Sequence, residues 1–191
     1  WGQVRLLGGT RDDAAGECFD KAARMLNLGY PGGPAIQSAA SKHVGPAIRL
    51  PRPMLKQGIE MSFSGLKTAL LTEVNSRSKP LSEESVSELA FALQDAIVDV
   101  LVTKLRYALQ LTGRDRVIIG GGVAANQPLR DRVEALTQEG IEVYVPPRKY
   151  CTDNAAMIAA AGSIQFEHFG ADSLDAPAQA RWDLQQYWPA S

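Results

Sequence analysis

Val117-Ile118-Ile119-Gly120-Gly121-Gly122-Val123-Ala124-Ala125-Asn126 decides the fold. Three β-branched residues in a row, too few for a helix, read as a short strand. An apolar run without alternation is the pattern of a parallel strand covered on both faces. Three glycines end it, and Pro128 to Leu136 reads as a helix. Glu142-Val143-Tyr144-Val145 is a second run of the same kind, stopped by Pro146 and Pro147. Strand, glycine loop, helix and strand in succession predict an α/β fold with a mostly parallel sheet. Glycines at the end of a strand let the backbone approach a ligand closely, and the helix that follows offers N–H groups to an anion. Asn126 is placed to reach such a ligand with its side chain. A tight strand-to-helix turn uses the same glycines without any ligand, and both readings stand here. The loop is neither a GxxxxGK[ST] phosphate loop nor a clean GxGxxG fingerprint.

Upstream, Ser82 caps a long amphipathic helix. Its stripe is Val86, Leu89, Ala90, Leu93, Ala96, Ile97, Val100, Leu101 and Leu105. Asn75 to Pro80 is a polar linker, and a shorter helix opens at Phe63-Ser64-Gly65-Leu66-Lys67 with Ser64 as its expected cap. Residues 45–64 read as a loop or short strands over the surface. Tyr30-Pro31-Gly32-Gly33-Pro34 is a rigid turn leading into a short helix, Ala35 to Ala40. Before it, Ala15, Cys18, Phe19, Ala22, Met25 and Leu26 recur at helical spacing, with Asp12 or Asp13 as the expected cap. Val4 to Leu7 reads as a strand, entered from Trp1-Gly2-Gln3 as if the sheet were cut there. Downstream, Thr152 or Asp153 starts an alanine-rich helix to about Phe169, and the last twenty residues read as a surface tail.

Composition excludes several functions. Hydrophobic residues make up 45% of the 191, enough to bury a core. Lysine and arginine number 20 against 21 acids, a net charge of -1, so no overall basic field draws nucleic acid, and an RNA partner needs a local patch. The two cysteines, Cys18 and Cys151, form no CxxC pair, which suits a reducing cytoplasm. His43 and His168 are too few for a histidine-based zinc site. No apolar run approaches the roughly 20 residues that span a membrane.

Three further stretches carry candidate chemistry. Asp12, Asp13, Glu17 and Asp20 crowd a helix start, where acids complement the dipole. Asp20 suits an ion pair with Arg24 four residues on, or a ligand. In Cys151-Thr152-Asp153-Asn154-Ala155-Ala156-Met157, Asp153 suits a helix cap or a metal ligand, but one carboxylate does not hold a metal tightly. Ser62-Phe63-Ser64-Gly65-Leu66-Lys67 has no histidine–acid pair to activate a serine.

In this order the stretches resemble one family. They are Asp12-Asp13-Ala14-Ala15-Gly16-Glu17, Phe19-Asp20-Lys21, Tyr30-Pro31-Gly32-Gly33-Pro34, Phe63-Ser64-Gly65-Leu66-Lys67-Thr68, Gly121-Gly122-Val123-Ala124-Ala125-Asn126 with Leu129-Arg130, and Cys151 to Ala159. The sequence is similar, from about residue 4 to 182, to the C-terminal part of the threonylcarbamoyl transferases that make threonylcarbamoyladenosine in tRNA, once called O-sialoglycoprotein endopeptidases. The resemblance implies an incomplete lobe of the actin-like ATPase fold, related to ribonuclease H. It also implies transfer of threonylcarbamoyl from threonylcarbamoyl-adenylate to N6 of the adenosine next to the anticodon in tRNAs reading ANN codons. By the same resemblance Asp20 would bind the ligand's hydroxyls, Gly33 would pack on the adenine, Gln37 would contact the sugar, and Gly121, Gly122 and Asn126 would hold the nucleotide. Asp153 would be one ligand of an Fe2+ or Zn2+ ion that polarises the threonylcarbamoyl group as a Lewis acid. Implied partners are tRNA, a paralogous non-catalytic subunit and a small ATPase, in the cytoplasm and away from membranes.

The family's HxxxH metal motif and Ser-Gly-Gly-His loop do not occur in this sequence. The expectation is therefore a fragment, inactive and unable to hold metal tightly alone. Residues 1–150 would be the second actin-like lobe without its first strands, with a helical insertion at about 34–112. Residues 151–191 would be a terminal helix and tail packing back towards the first lobe. Two other readings remain: a sugar or carboxylate kinase of the actin-like superfamily, and a non-catalytic interaction module. Asp20, Asn126 and Asp153 argue against the module, which needs none of them.

Overall fold

The computed structural model describes residues 4–175 and 177. Residues 8–152 form one compact unit; residues 4–7 and those from 153 onward belong to a second.

In the first unit, α1 (Ala15–Met25) packs on α2 (Gly32–Ala40) and α3 (Ser64–Ser76), and both α2 and α3 pack on the 30-residue α4 (Glu83–Thr112). Cys18, Phe19, Ala22, Ile36, Phe63, Leu66, Leu70, Leu89, Leu93 and Ile97 close this core. Ser82 caps α4 as expected, its Oγ accepting the Ser85 N–H at 3.2 Å, and Gly113 ends the helix at φ 63. Behind α4 lies a second core of Val98, Val102, Val117, Leu129, Val133 and Leu136. The α4 helix is thus a spine shared by two cores, which is why Val98 and Val102, off the predicted stripe, are buried as well; Gln94 is buried against Asn126, and Lys104 against the Met54, Gln57 and Gly58 carbonyls.

The second core is a strand–helix–strand unit. Strand β1 (Arg116–Ile118) runs into a 3-10 turn (Gly122–Ala125), α5 (Gln127–Glu134), a second 3-10 turn (Ala135–Glu139) and strand β2 (Glu142–Tyr144). The strands pair in parallel, Val117 opposite Val143. The predicted α/β unit is there, but the sheet among the described residues has two strands and the unit is mainly helical. The strands are not covered on both faces: Val117 is buried, while Ile118 is 74% exposed. One face packs on the helices, and no described element covers the other.

Four local expectations change. Val4 to Leu7 is not a strand, because no described segment pairs with it; the nearest ladder is a single Thr10–Met61 bridge. Asp12 and Asp13 do not cap α1, whose cap position is Ala14. Asp12 instead accepts the Phe63 and Ser64 N–H groups at 2.7 and 3.1 Å and the Ser62 hydroxyl, so the carboxylate expected to cap α1 closes the start of α3. Ser64 is therefore the first residue of α3, not its cap. Asp13 bridges Lys21 and Lys67 at 2.7 and 2.9 Å.

In the second unit α6 (Ala155–Phe169) is capped by Asn154, whose Oδ1 accepts the Met157 N–H at 3.0 Å, not by Thr152 or Asp153. None of its residues is buried. Most of the expected tail lies outside the described residues.

Candidate functional site

The site begins where two helices approach without room for a side chain. A β-carbon on Gly32 would stand 2.6 Å from the Phe19 carbonyl oxygen and 2.8 Å from the Asp20 amide nitrogen. Only glycine fits, and the close approach lets Asp20 Oδ1 accept the Gly32 N–H at 2.8 Å. Asp20 forms no ion pair with Arg24 among the described residues; its carboxylate is fixed at the start of α2. A β-carbon on the next residue, Gly33, would meet nothing within 4 Å.

That open side belongs to a cavity of about 530 Å³. Phe19 and Asp20 of α1 line it, with Tyr30, Pro31, Gly33, Pro34 and Gln37 of the turn and α2. Gly122, Val123, Ala125 and Asn126 follow from the 3-10 turn and the start of α5, and Arg148 and Thr152 from the segment after β2. The lining is mostly apolar with a few polar groups, as in small-molecule sites.

Of the residues singled out from sequence, Asp20, Gly33, Gln37, Gly122 and Asn126 line this one cavity. Gly121 does not; at φ 84 it makes the bend that aims the 3-10 turn, and its carbonyl accepts the Ala124 N–H at 2.9 Å. Asn126 is 8% exposed, and both polar atoms of its side chain bond within the fold. Its Oδ1 caps α5 through the Leu129 N–H at 3.1 Å, and its Nδ2 donates to Gln94 Oε1 on α4 at 2.9 Å. Gln37 Oε1 accepts the Gln127 N–H at 2.7 Å, tying α2 to the start of α5. Both residues build the cavity wall whatever else they do.

Arg130 holds the wall in register: its guanidinium donates to the Ala124 and Pro146 carbonyls at 3.0 and 2.8 Å. Sequence reasoning missed Arg148, which no motif marked, and Thr152, passed over beside Asp153. Only the return of the chain after β2 brings them to the cavity.

Residues 1–160 match the profile of the tRNA N6-adenosine threonylcarbamoyltransferases. The chain belongs to that family. It is 45% identical over 185 residues to the tRNA N6-adenosine threonylcarbamoyltransferase of Methylobacillus flagellatus, covering 96% of this chain and 55% of that protein. Those of Thermodesulfovibrio yellowstonii and Herminiimonas arsenicoxydans are 47% and 48% identical over 87% of this chain, covering 51% and 49% of their own lengths. The chain spans about half the length of the curated relatives it matches.

Asp153 falls in the second unit and is exposed. Among the described residues no three histidine, cysteine or acidic side chains gather where they could hold a metal ion. A single carboxylate does not make the iron or zinc site that the family resemblance implies. Cys18 is no candidate either, since burial pushes its thiol up to about 12. No helix among the described residues is long and apolar enough to cross a membrane.

Proposed function

We propose that this chain furnishes the adenosine side of the ligand site in an enzyme that moves threonylcarbamoyl from threonylcarbamoyl-adenylate to N6 of the adenosine next to the anticodon of tRNA. The observation that carries this reading is the cavity joining Asp20, Gly33 and the Gly122–Asn126 turn. Asp20 has one oxygen on the Gly32 N–H, and its carboxylate accepts the ribose hydroxyls with little freedom left to lose. Gly33 offers a flat backbone to the adenine, with Phe19, Pro31 and Val123 supplying apolar walls. The 3-10 turn holds the opposite edge of the base through its backbone.

Asp153 contributes one carboxylate to a metal site whose other ligands come from outside this chain, and α6 packs its uncovered apolar residues against the same partner lobe. The remaining partners are tRNA, a paralogous non-catalytic subunit and a small ATPase. The test is to follow the amide resonances of the 191-residue chain during titration with adenosine. Saturable shifts centred on Gly33 and Gly122, weakened at least tenfold by Asp20→Ala, are expected. Shifts confined to other residues, or none, would remove the reading. The chain alone is expected to form no threonylcarbamoyladenosine.

A further inference from the structure

Arg148 follows Pro147 in the 3-10 turn Arg148–Tyr150 after β2 and lines the cavity. Among the described lining residues it is the one cation, and Asp20 the one carboxylate. Other arginines of this unit are neutralised: Arg52 and Arg132 bond Asp95 and Asp99, Arg77 bonds Glu88, and Arg106 bonds Glu139. Arg148, like Arg130, bonds an uncharged acceptor, but Arg130 is tied to two carbonyls within the wall whereas Arg148 lines the cavity. Its guanidinium donates to the amide oxygen of Gln127, a neutral acceptor. Gln127 is itself oriented from both ends: its Nε2 donates to Asp131 at 2.6 Å, and its backbone N–H donates to Gln37 at 2.7 Å. The result is a full positive charge held at the cavity through a bond to an uncharged group. An amide oxygen gives way to an anionic one because an oxyanion adds charge–charge attraction and offers the guanidinium fork two acceptor oxygens instead of one.

We infer that Arg148 is a specificity-determining residue that binds the 5′-phosphate of an adenosine ligand in this cavity. The inference rests on the adenosine reading above and adds its polarity. Asp20 takes the end bearing hydroxyls and repels phosphate, while Arg148 takes the phosphate, so a nucleoside monophosphate or its acyl ester enters in one orientation.

The test compares adenosine with adenosine 5′-monophosphate by calorimetry on the 191-residue chain and its Arg148→Ala and Arg148→Lys variants. The expected result is that the monophosphate binds at least tenfold tighter than adenosine to the parent chain. In Arg148→Ala that ratio falls to near one while adenosine affinity stays put, and in Arg148→Lys it is partly kept. Arg148 is exposed and bonded to a side chain only, so the melting temperatures of the variants should match the parent's. If adenosine binds and the ratio is near one in the parent, or survives Arg148→Ala, the inference is overturned and the adenosine reading stands. If neither ligand binds, both are overturned.

Discussion

Two adjacent glycines should respond oppositely to the same methyl group. In Gly32→Ala the new β-carbon stands 2.6 Å from the Phe19 carbonyl and 2.8 Å from the Asp20 nitrogen, both backbone atoms of a helix. Carbon needs about 3.5 Å or more from its neighbours, so α1 and α2 must part by close to 1 Å. Overpacking of this kind costs about 1–3 kcal/mol. Separation also stretches the 2.8 Å bond from the Gly32 N–H to Asp20, and hydrogen bonds to charged groups contribute about 1.5–3 kcal/mol. Less glycine freedom in the unfolded chain returns roughly 0.5–1 kcal/mol. The net loss is roughly 2–5 kcal/mol, a large share of the 5–15 kcal/mol of a typical domain. Gly33→Ala meets open space, so its stability should stay within about 1 kcal/mol of the parent or rise, while its methyl intrudes on the cavity. Urea unfolding followed by circular dichroism, with adenosine titrations on the same samples, reads both. The packing argument is refuted if Gly32→Ala unfolds within 0.5 kcal/mol of the parent, or if Gly33→Ala is the less stable of the two.

Three other perturbations are informative. Asn126→Ala removes the cap of α5 and leaves Gln94 Oε1 without its donor, which should cost roughly 2–4 kcal/mol by denaturant titration; a loss under ~1 kcal/mol would mean that the wall does not depend on Asn126. Lys104 donates to the carbonyls of Met54, Gln57 and Gly58 at 2.6, 3.3 and 2.7 Å, and burial pushes its ammonium below the ordinary lysine value. Lys104→Met should cost about 1–3 kcal/mol and speed amide exchange through residues 54–58; unchanged exchange there would contradict the clamp. Asp12 and Asp13 should make the fold acid-sensitive. Desolvation raises the Asp12 carboxyl but is outweighed by the Ser62, Phe63 and Ser64 bonds, while the Lys21 and then the Lys67 bond lower Asp13, so both titrate below the usual aspartate value. Groups lowered by folding stabilise it fully above about pH 4 and lose that contribution as pH falls through their folded values. Urea midpoints should therefore drop below pH 4, and less steeply in the Asp12→Asn, Asp13→Asn double variant; identical slopes would exclude these two carboxylates as the cause.

The strand, glycine loop, helix, strand succession was legible because each piece is local. β-branched runs, glycines and prolines bias the backbone wherever they occur, and the family motifs are strings read in one direction. Six motifs in one order were enough to place the chain in its family. The sequence by itself could not say which face of a motif residue would be used. Asp12 looked like the cap of the helix beside it and closes another helix some fifty residues away. Asn126 looked like a ligand-holding side chain and has both polar atoms bonded within the protein. Arg148 carried no signal, because its place at the cavity depends on how the chain returns after β2. Hydrogen bonds and burial are pairwise and long-range, so the partner of a polar group is settled only when two distant segments meet. The glycines show the division most plainly: local pattern read Gly32 and Gly33 alike as a turn, the family resemblance singled out Gly33, and the packing of α1 on α2 supplied the physical difference, no room at Gly32 and open space at Gly33.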